Sequence, residues 1–426
     1  METEKRLSER ARTIGRRVRA SYRNPARLTT VDQARTLARR RVPRAVFDYL
    51  DGGAETEGTM RANRSSMSAV GFRPRMGVTA GDPAPDLSTT VLGTALSLPV
   101  LLSPVGFSRM MDRHGDVAAA RAAGQAGTIF TLSSMSGHTM EEVMAAATGP
   151  AWFQLYFLGG RPGAAQLVER ARQAGYQALV VTMDTQFPGN RERDLRHGVK
   201  PPLQMNLHNM VKFAPQVALH PDWLVEFARD RFQLDIVNAT TLGPPGDPMT
   251  VEEALMEWTA APPRWEDFAW LRQEWPGPII AKGIVTGDDA RRAVDCGVSA
   301  IVVSNHGGRQ LDGMPATLPA LVEVLDAVGN SVEVLVDGGV RRGSDVVRAL
   351  ALGARAVMIG RAWAYGLAAN GEPGVEEILS MMAVDMDRTL RLLGCDSVGA
   401  LDRSFIRYPS RWHAAPVDPA RRYSQD

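Results

Sequence analysis

Short apolar segments recur along the chain, and each one ends in polar residues or glycine. Eight lie between residues 98 and 361: LPVLLSP (98–104), TIFTLSS (128–134), AWFQLY (151–156), ALVVTMD (178–184), PIIAKG (278–283), AIVVSN (300–305), EVLVDG (333–338) and AVMIGR (356–361). Apolar runs without alternation indicate strands that are buried on both faces. Most segments between them have the apolar spacing of a helix and stop at a glycine, as GSDVVRALALG does. The pattern therefore predicts eight parallel β/α units.

Eight such units favour a (β/α)8 TIM barrel, which belongs to the α/β class. An open doubly wound sheet is the alternative, and it is disfavoured because no G-x-G-x-x-G follows the first strand. The segment VDQARTLARRRVPRAVFDYLDGGA predicts an N-terminal helix pair that breaks at Pro43, and VEEILSMMAVDMDRTLRLLG predicts an amphipathic closing helix. More than ninety residues separate the fourth and fifth strands. They predict a long insertion, at about 196–265, that could serve as a lid.

Charge and cysteine content narrow the class of protein. The net charge of +2 argues against a polyanion-binding protein. Residues 1–45 are nevertheless basic, with fourteen Lys and Arg against four Asp and Glu. We expect a solvated arm there (1–30), before a barrel domain (31–405) and a C-terminal tail (406–426). A contact of the arm with an acidic partner, a membrane surface or a neighbouring subunit is the alternative. Nucleic acid is disfavoured because Tyr22 is the only aromatic residue of the arm.

The cellular compartment follows from the same composition. Two cysteines, Cys296 and Cys395, cannot form a disulfide framework and indicate a reducing compartment, most simply the cytoplasm. No apolar run reaches the 18 residues that a transmembrane helix needs, and the N-terminus lacks the apolar core of a secretory signal.

Chemically useful side chains stand at the ends of the predicted strands, which is where barrels carry their active sites. They are a histidine, a carboxylate, a lysine, a tyrosine and two arginines: His306, Asp184, Lys282, Tyr156, Arg191 and Arg309. Each of these residues alone could have an ordinary structural role, such as that of a solvated lysine or a neutral hydrogen-bonding histidine. Together at one mouth they would form an acid–base or redox site for an anion. Guanidinium groups suit a carboxylate in particular because they bind it in bidentate fashion.

The seventh and eighth strands carry a different signal. DGGVRRGSD and IGRA each lead from glycine into a helix, with Arg341 and Arg361 adjacent. Free N–H groups at helix N-termini bind phosphate, and barrels commonly hold phosphate after strands seven and eight. We therefore expect a phosphorylated ligand beside the carboxylate. No Cys/His cluster has metal-ligand spacing, so no metal is predicted.

These motifs in this order resemble the FMN-dependent L-2-hydroxy acid oxidase/dehydrogenase family. SNHGGRQLD is the most specific, and it is joined by TLSS, FQLY, VTMDT, KGI, DGGVRRGSD, IGRA and the helix VPRAVFDYLDGGAE. The resemblance covers about residues 30–405. It implies a barrel that binds FMN noncovalently and oxidises an L-2-hydroxy acid to the 2-oxo acid, with electrons passing to flavin N5. FAD is not expected, because no dinucleotide fingerprint is present.

The resemblance also implies a role for each site residue. The catalytic set is His306, Asp184, Tyr156 and Lys282, in which His306 is the base, Asp184 is its partner, and Lys282 stabilises the negative charge of reduced flavin. The substrate-binding set is Tyr49, Arg191, Arg309, Tyr156 and Met135. Besides Lys282, the cofactor-binding set is Pro104, Val105, Gly106, Ser133, Gln154, Thr182, Ser304, Asp337, Gly338, Gly339, Arg341, Gly360 and Arg361.

Some features depart from the common family pattern. Val105-Gly106 stands where oxidases commonly have Thr-Ala, and glycine there occurs in relatives that react poorly with oxygen. Met135 stands where glycolate oxidase has an aromatic residue. The acceptor therefore stays open between oxygen, a quinone and another carrier.

Other functions remain as alternatives. The long insertion resembles actinobacterial members, and one branch of those acts on a peptide-derived amine but departs from the RQLD that this chain keeps. Oxidation of an amine or of a peptide- or natural-product-derived intermediate is therefore the second function. A flavin-binding scaffold without activity is the third. Family members are commonly tetramers, so we expect a homotetramer.

Overall fold

The computed structural model describes residues 28–78, 84–197, 207–230, 235–244 and 248–412. Residues 1–27 of the basic arm and residues 413–426 of the tail lie outside the described residues, as do parts of the predicted insertion. The division into arm, barrel domain and tail stays a prediction. The described start of the tail is attached to the rest of the chain, because Ile406–Arg407 pairs antiparallel with Gly71–Phe72.

Eight parallel strands form a closed barrel, in which each strand pairs with the next along the chain and the last pairs with the first. One strand forms at each of the eight apolar segments, and β5 runs one residue beyond its segment. The strands are β1 (Val100–Leu102), β2 (Phe130–Ser133), β3 (Ala151–Leu155), β4 (Leu179–Thr182), β5 (Ile279–Ile284), β6 (Ala300–Val303), β7 (Glu333–Val336) and β8 (Ala356–Ile359). The predicted (β/α)8 barrel is confirmed.

The strands are apolar throughout because both of their faces are covered. One set of side chains fills the barrel interior and includes Leu101, Trp152, Val180, Ile280, Val302, Leu335 and Met358. The alternate set packs outward against the surrounding helices. A hairpin of Thr89–Val91 and Thr94–Leu96 adds Val91 and Leu96 to the interior cluster, so it closes one end of the barrel. The chemistry is left to the other end.

The helices divide into those before the barrel, those between its strands and the closing helix. Before the barrel lie α1 (Val31–Arg41), α2 (Arg44–Asp51) and α3 (Gly58–Ala69). Between strands lie α4 (Gly115–Gln125), α5 (Met140–Ala146), α6 (Gly160–Ala174), α7 (Glu192–His197), α8 (Leu207–Ala218), α9 (Pro221–Arg229), α10 (Val251–Ala260), α11 (Asp267–Glu274), α12 (Gly287–Asp295), α13 (Thr317–Val328) and α14 (Gly343–Leu352). The closing helix is α15 (Arg361–Leu393).

The two terminal helical regions match the sequence to different degrees. The break at Pro43 is present, since Pro43 precedes α2 as its N-cap. The range of α15 contains two helices that meet at a kink, because Asn370 and Gly371 have non-helical backbone angles. The second of these helices contains the predicted closing segment as far as Leu393. Gly366 and Gly374 come so close across that kink that a Cβ on either would overlap the backbone of the other. This packing holds the two helical parts of α15 together at the kink.

The insertion after β4 is largely helical where it is described. It contains α8, α9 and α10, and Trp223 and Phe227 of α9 face the protein. Trp223 and Phe227 stack with ring centroids 4.6 Å apart. The indole Nε1 of Trp223 donates to the carbonyl of Met110, in the turn that follows β1, at 2.8 Å. The insertion therefore rests on the barrel mouth.

Candidate active site

A cavity of about 600 Å³ lies at the carboxyl ends of the strands. All of the predicted site residues line it except Asp184 and Ser304, which contact residues that do. The lining residues from the prediction are Tyr49, Pro104, Val105, Gly106, Ser133, Met135, Gln154, Tyr156, Thr182, Arg191, Lys282, His306, Arg309, Asp337, Gly338, Gly339, Arg341, Gly360 and Arg361. Side chains from all eight strand ends and from α2 thus meet in one space.

His306 and Asp184 form a hydrogen-bonded pair across the mouth. His306 Nδ1 lies 3.1 Å from Asp184 Oδ1. Burial raises the pKa of Asp184, but the charge and hydrogen bond of His306 and the charge of Lys282 outweigh it, so the pKa is lowered overall. A carboxylate can only accept, so Nδ1 is the donor of this hydrogen bond, and Nε2 holds the lone pair when the ring is neutral. This arrangement leaves Nε2 able to take a proton.

Two guanidinium groups flank the ring of Tyr49. The Arg309 guanidinium carbon is 4.9 Å from the ring centroid and that of Arg191 is 5.9 Å away. Arg309 Nη1 donates to the carbonyls of Tyr49 and Gly52, whereas Arg191 lies 3.4 Å from Asp194. Burial and the charge of Arg191 lower the pKa of Arg309. Arg309 forms no ion pair with any described residue, so its charge is available to an anion in the cavity.

The two tyrosines lie near these charges. The hydroxyl of Tyr49 donates to the carbonyl of Gly106 at 3.3 Å. Burial, and then the charge of Asp184, raises the pKa of Tyr156, so its hydroxyl stays protonated and can donate a hydrogen bond. Both hydroxyl groups can therefore orient an oxygen of a bound ligand.

Lys282 places a buried positive charge at the end of β5. Its Nζ lies 2.9 Å from Asp337 Oδ2 and donates to Ser304 Oγ at 2.8 Å. Burial lowers the pKa of Lys282, but the charges of Asp337 and Asp184 outweigh that effect and raise the pKa overall. The lysine is therefore cationic at neutral pH, which suits a ligand atom that gains negative charge.

The ends of β7 and β8 form a second anion-binding region. Gly339 has a φ of +85°, and a Cβ there would lie 2.6 Å from the carbonyl oxygen of Asn63, so only glycine fits. Arg361 donates to the carbonyls of Gly307 and Gly52, each at 2.8 Å. Burial lowers the pKa of Arg361 to about 10, so it remains charged at neutral pH. A partly buried cation at the N-terminus of α15 could hold a phosphate group there.

Several buried polar atoms of this cavity have no hydrogen-bond partner among the described residues. They are Gln154 Nε2, Thr182 Oγ1, Asp337 Oδ1 and Arg361 Nε. Such atoms are costly unless a ligand or water satisfies them. Each belongs to a predicted cofactor position, and they run from the β3 and β4 ends to the phosphate region. A ligand with a polar ring edge, hydroxyl groups and a phosphate would satisfy them, so the residues fit FMN.

One wall of the cavity was not predicted from the sequence. Helix α10 of the insertion contributes Glu252, Leu255, Met256, Trp258 and Thr259. The rings of Trp258 and Tyr156 lie 4.8 Å apart at 35°. VEEALMEWTA has helical spacing after a capping Thr250, but that signal does not say which helix face turns toward the mouth.

A flavin-dependent oxidoreductase barrel is the class that this fold and site define. The model of the family described as FMN-dependent dehydrogenase matches residues 38–408, and the chain belongs to that family. The chain is an enzyme of the FMN-dependent 2-hydroxy acid oxidoreductases, and its cofactor is FMN.

Relatives of different activity are similar to this chain. The pre-mycofactocin synthase of Mycobacterium tuberculosis is 46% identical over 92% of this chain and 98% of its own length. The L-lactate dehydrogenase of Caulobacter vibrioides is 42% identical over 87% of this chain and 96% of its own length. A crystal structure of (S)-mandelate dehydrogenase, described as a monotopic membrane protein, has a TM-score of 0.82 and 37% identity, covering 90% of this chain and 100% of that one. In the described ranges of the present chain, no helix is long and apolar enough to cross a membrane.

Proposed function

We propose that the protein oxidises an L-2-hydroxy acid to the 2-oxo acid, with His306 as the base. The observation that carries the proposal is Arg309, a partly buried guanidinium group without an ion-pair partner among the described residues. It shares the cavity with His306. A carboxylate held by Arg309 and Arg191 brings the adjacent hydroxyl-bearing carbon within the same small space. The tyrosine hydroxyls of Tyr49 and Tyr156 orient its oxygen atoms.

The proton chemistry falls to the pair of His306 and Asp184. His306 Nε2 takes a proton from the substrate, and Asp184 stabilises the imidazolium that results. Removal of the proton from carbon and removal from the hydroxyl both lead to the 2-oxo acid, and the two routes stay open here. FMN supplies the two-electron acceptor when it is bound. Lys282, Gln154, Thr182, Asp337 and Arg361 would hold it, with the charge of Lys282 set where negative charge accumulates.

A second candidate function is the oxidation of an amine or of a peptide- or natural-product-derived intermediate on the same scaffold. The similarity to pre-mycofactocin synthase supports it. The two candidates differ in what Arg309 and Arg191 do, because an amine substrate without a free carboxylate gives them no partner. A panel of hydroxy acids and amines separates them by which compound bleaches the flavin without oxygen.

The proposal is tested with His306→Gln, assayed by the anaerobic rate of flavin bleaching at saturating substrate. We expect a loss of about 10² to 10⁴-fold, the usual contribution of general base catalysis, with FMN content unchanged. His114→Gln is the matched control, because His114 is 53% exposed and does not line the cavity. Bleaching of His306→Gln at near the wild-type rate would show that His306 is not the base.

Other properties stay predictions. They are the homotetramer, the cytoplasmic location, a contact of the basic arm with a membrane or neighbour, and the acceptor. At Gly106, which bears on the acceptor, an added Cβ would lie 2.8 Å from Met135 Cβ. The glycine therefore also permits close packing of the two loops that follow β1 and β2.

A further inference from the structure

Arg109, which does not line the cavity, joins three separate segments of the chain. It lies in the turn after β1. Its Nε and Nη2 donate to the two carboxylate oxygens of Asp230, just after α9 in the insertion. Its Nη1 donates to the carbonyl of Gly137, in the loop after β2, at 2.6 Å. The side chains of Arg109 and Asp230 are only 15% and 11% exposed. All three interactions are therefore largely shielded from water.

The two loops that Arg109 joins form the cavity wall at Gly106 and Met135. Phe107 N donates to the carbonyl of Met135 at 3.0 Å, which ties one loop to the other. Phe107 holds a φ of +58°, an unfavourable value for a residue with a side chain. Its ring packs edge-on against Tyr49 at 5.8 Å. A strained turn persists only when the surrounding structure holds it in place. Arg109 lies two residues after Phe107, so its hydrogen bonds can provide that support.

The insertion is fixed to the same loop a few residues after Asp230. Val237 N donates to the carbonyl of Ser136 at 3.2 Å. The side chain of Asn238 donates to the carbonyl of His138 and accepts from Met140 N. The insertion thus holds the loop after β2 on both sides of Gly137, where Arg109 also binds. Arg109 is the one side chain in the described ranges that links the insertion to both loops through hydrogen bonds.

We propose that Arg109 is a positioning residue for the wall of the active site. Through its pair with Asp230, the insertion holds Gly106 and Met135 in place. The proposal rests on the proposed function in one respect, which is that this wall faces the substrate. Loss of the pair frees the turn after β1 and the loop after β2 together. A wall displaced by about 1 Å can cost on the order of 10²-fold in rate.

The test compares Arg109→Gln with Arg113→Gln in the full-length enzyme loaded with FMN. Arg113 pairs with Glu226 of α9 at 2.8 Å, so its side chain also joins the region after β1 to the insertion. Its contact with the loop after β2 is a hydrogen bond between its backbone and His138, which Arg113→Gln keeps. Amide hydrogen exchange is followed at Phe107, Ser136 and Val237 in peptides that cover the three segments. We expect Arg109→Gln to speed exchange at least about 10-fold in all three segments. Arg113→Gln should leave the loop after β2 unchanged.

A second readout is the rate of anaerobic flavin bleaching at saturating substrate. Arg109→Gln should lower it about 10-fold to 10²-fold with FMN content unchanged, whereas Arg113→Gln should keep the wild-type rate. Arg109→Lys keeps the charge but cannot bind both partners, so it should give intermediate exchange, and it replaces Arg109→Gln if that variant does not fold. Unchanged exchange in the loop after β2, or equal effects of the two arginine variants, overturns the proposal. Because exchange needs no substrate, it decides the matter even if no hydroxy acid reduces the enzyme.

Discussion

The N-terminal helical segment (residues 31–69) and the insertion after β4 both lie over the mouth of the barrel, but they are attached differently. The N-terminal segment is bound by the SNHGGRQLD motif itself. Asn305 and Asn63 exchange side-chain hydrogen bonds at 2.8 and 2.9 Å. Arg309 donates to the carbonyls of Tyr49 and Gly52. The residues that carry the proposed chemistry thus also hold this segment in place.

The insertion is attached mainly to the turns and loops around the mouth of the barrel. Trp223 binds the turn after β1, Gln186 donates to the carbonyl of Pro263, and Arg109 binds Asp230. Its contribution to the cavity is the wall of α10, with Trp258 against Tyr156. The comparison indicates that the N-terminal segment is bound directly to the motif that carries the proposed base and the proposed carboxylate-binding arginine. The described residues of the insertion shape the cavity but form no hydrogen bond with the His306–Asp184 pair.

Two buried aspartates show the same contrast in their electrostatics. Although burial raises the pKa of Asp51, hydrogen bonds from Arg35 and Tyr365 lower it overall. Its folded-state pKa is thus depressed, so its contribution to stability is present above the ordinary value of 3.8 and is lost as pH falls below it. Asp116 lies beside the loops that the insertion covers, and burial raises its pKa to about 6. Asp51 stabilises the fold as an anion, whereas the site of Asp116 favours the protonated carboxyl group.

The largest effect should come from breaking the attachment of the N-terminal segment with Asp51→Asn. Asp51 is 3% exposed and binds Arg35, Arg193 and the hydroxyl of Tyr365. The substitution leaves Arg35 without its carboxylate partner, whereas Arg193 keeps Glu57. We expect a loss of about 3 to 4 kcal/mol in the free energy of unfolding in urea at pH 7. That figure stays below the upper end for buried pairs because Arg35 is 41% exposed.

The control for Asp51→Asn is Asp32→Asn on α1. Asp32 pairs with Arg64, and the two side chains are 57% and 49% exposed. Solvent screens such a pair, so its loss should cost less than about 1 kcal/mol. Equal losses in the two variants would contradict a special role for Asp51.

A smaller effect, dependent on pH, is expected for Asp116→Asn. Between pH 3.8 and about 6, folded wild-type protein keeps a proton on Asp116 that the unfolded chain releases. The free energy of unfolding of the wild type therefore falls as pH rises through this window. Asparagine does not titrate, so the variant lacks this pH dependence. Relative to the wild type, the variant should gain about 2 to 3 kcal/mol between pH 4 and pH 7. Urea unfolding at the two pH values measures this gain, and parallel pH profiles would show that Asp116 does not titrate there.

The smallest effect is expected from removing a helix cap, and the two regions offer one helix cap each. Asp312 accepts from the backbone N–H groups of Gly58 and Thr59 at the start of α3, and Thr250 caps α10. Removal of a cap costs about 1 kcal/mol. If the N-terminal segment unfolds with the barrel and the insertion opens locally, only Asp312→Ala lowers the global free energy of unfolding. Thr250→Ala should instead speed proteolysis within the insertion. Equal global losses would mean that both regions unfold as one unit.

The barrel and the meeting of its strand ends could be predicted from the sequence, because each apolar run indicates a strand without reference to the rest of the chain. Lys282 ends one such run and His306 follows another, so closing the barrel suffices to bring them together. The partner of Asp51 could not be found this way, since Tyr365 lies 314 residues away on a helix whose orientation depends on packing. Trp258 was missed for a similar reason, because the path of the insertion, rather than its helical spacing, decides what α10 faces.

The attachment of the N-terminal segment to SNHGGRQLD also sets the order of events during synthesis. Asn63 leaves the ribosome 242 residues before Asn305, and Asp51 leaves 314 residues before Tyr365. At about 5 to 20 residues per second, the first interval lasts roughly 10 to 50 s. Throughout it, Val31, Ala34 and Ala38 of α1 lack the surface that buries them in the finished protein. Helices α1 to α3 are therefore among the last of the described elements to dock, and the proposed catalytic site is complete only after the eighth strand of the barrel has been made.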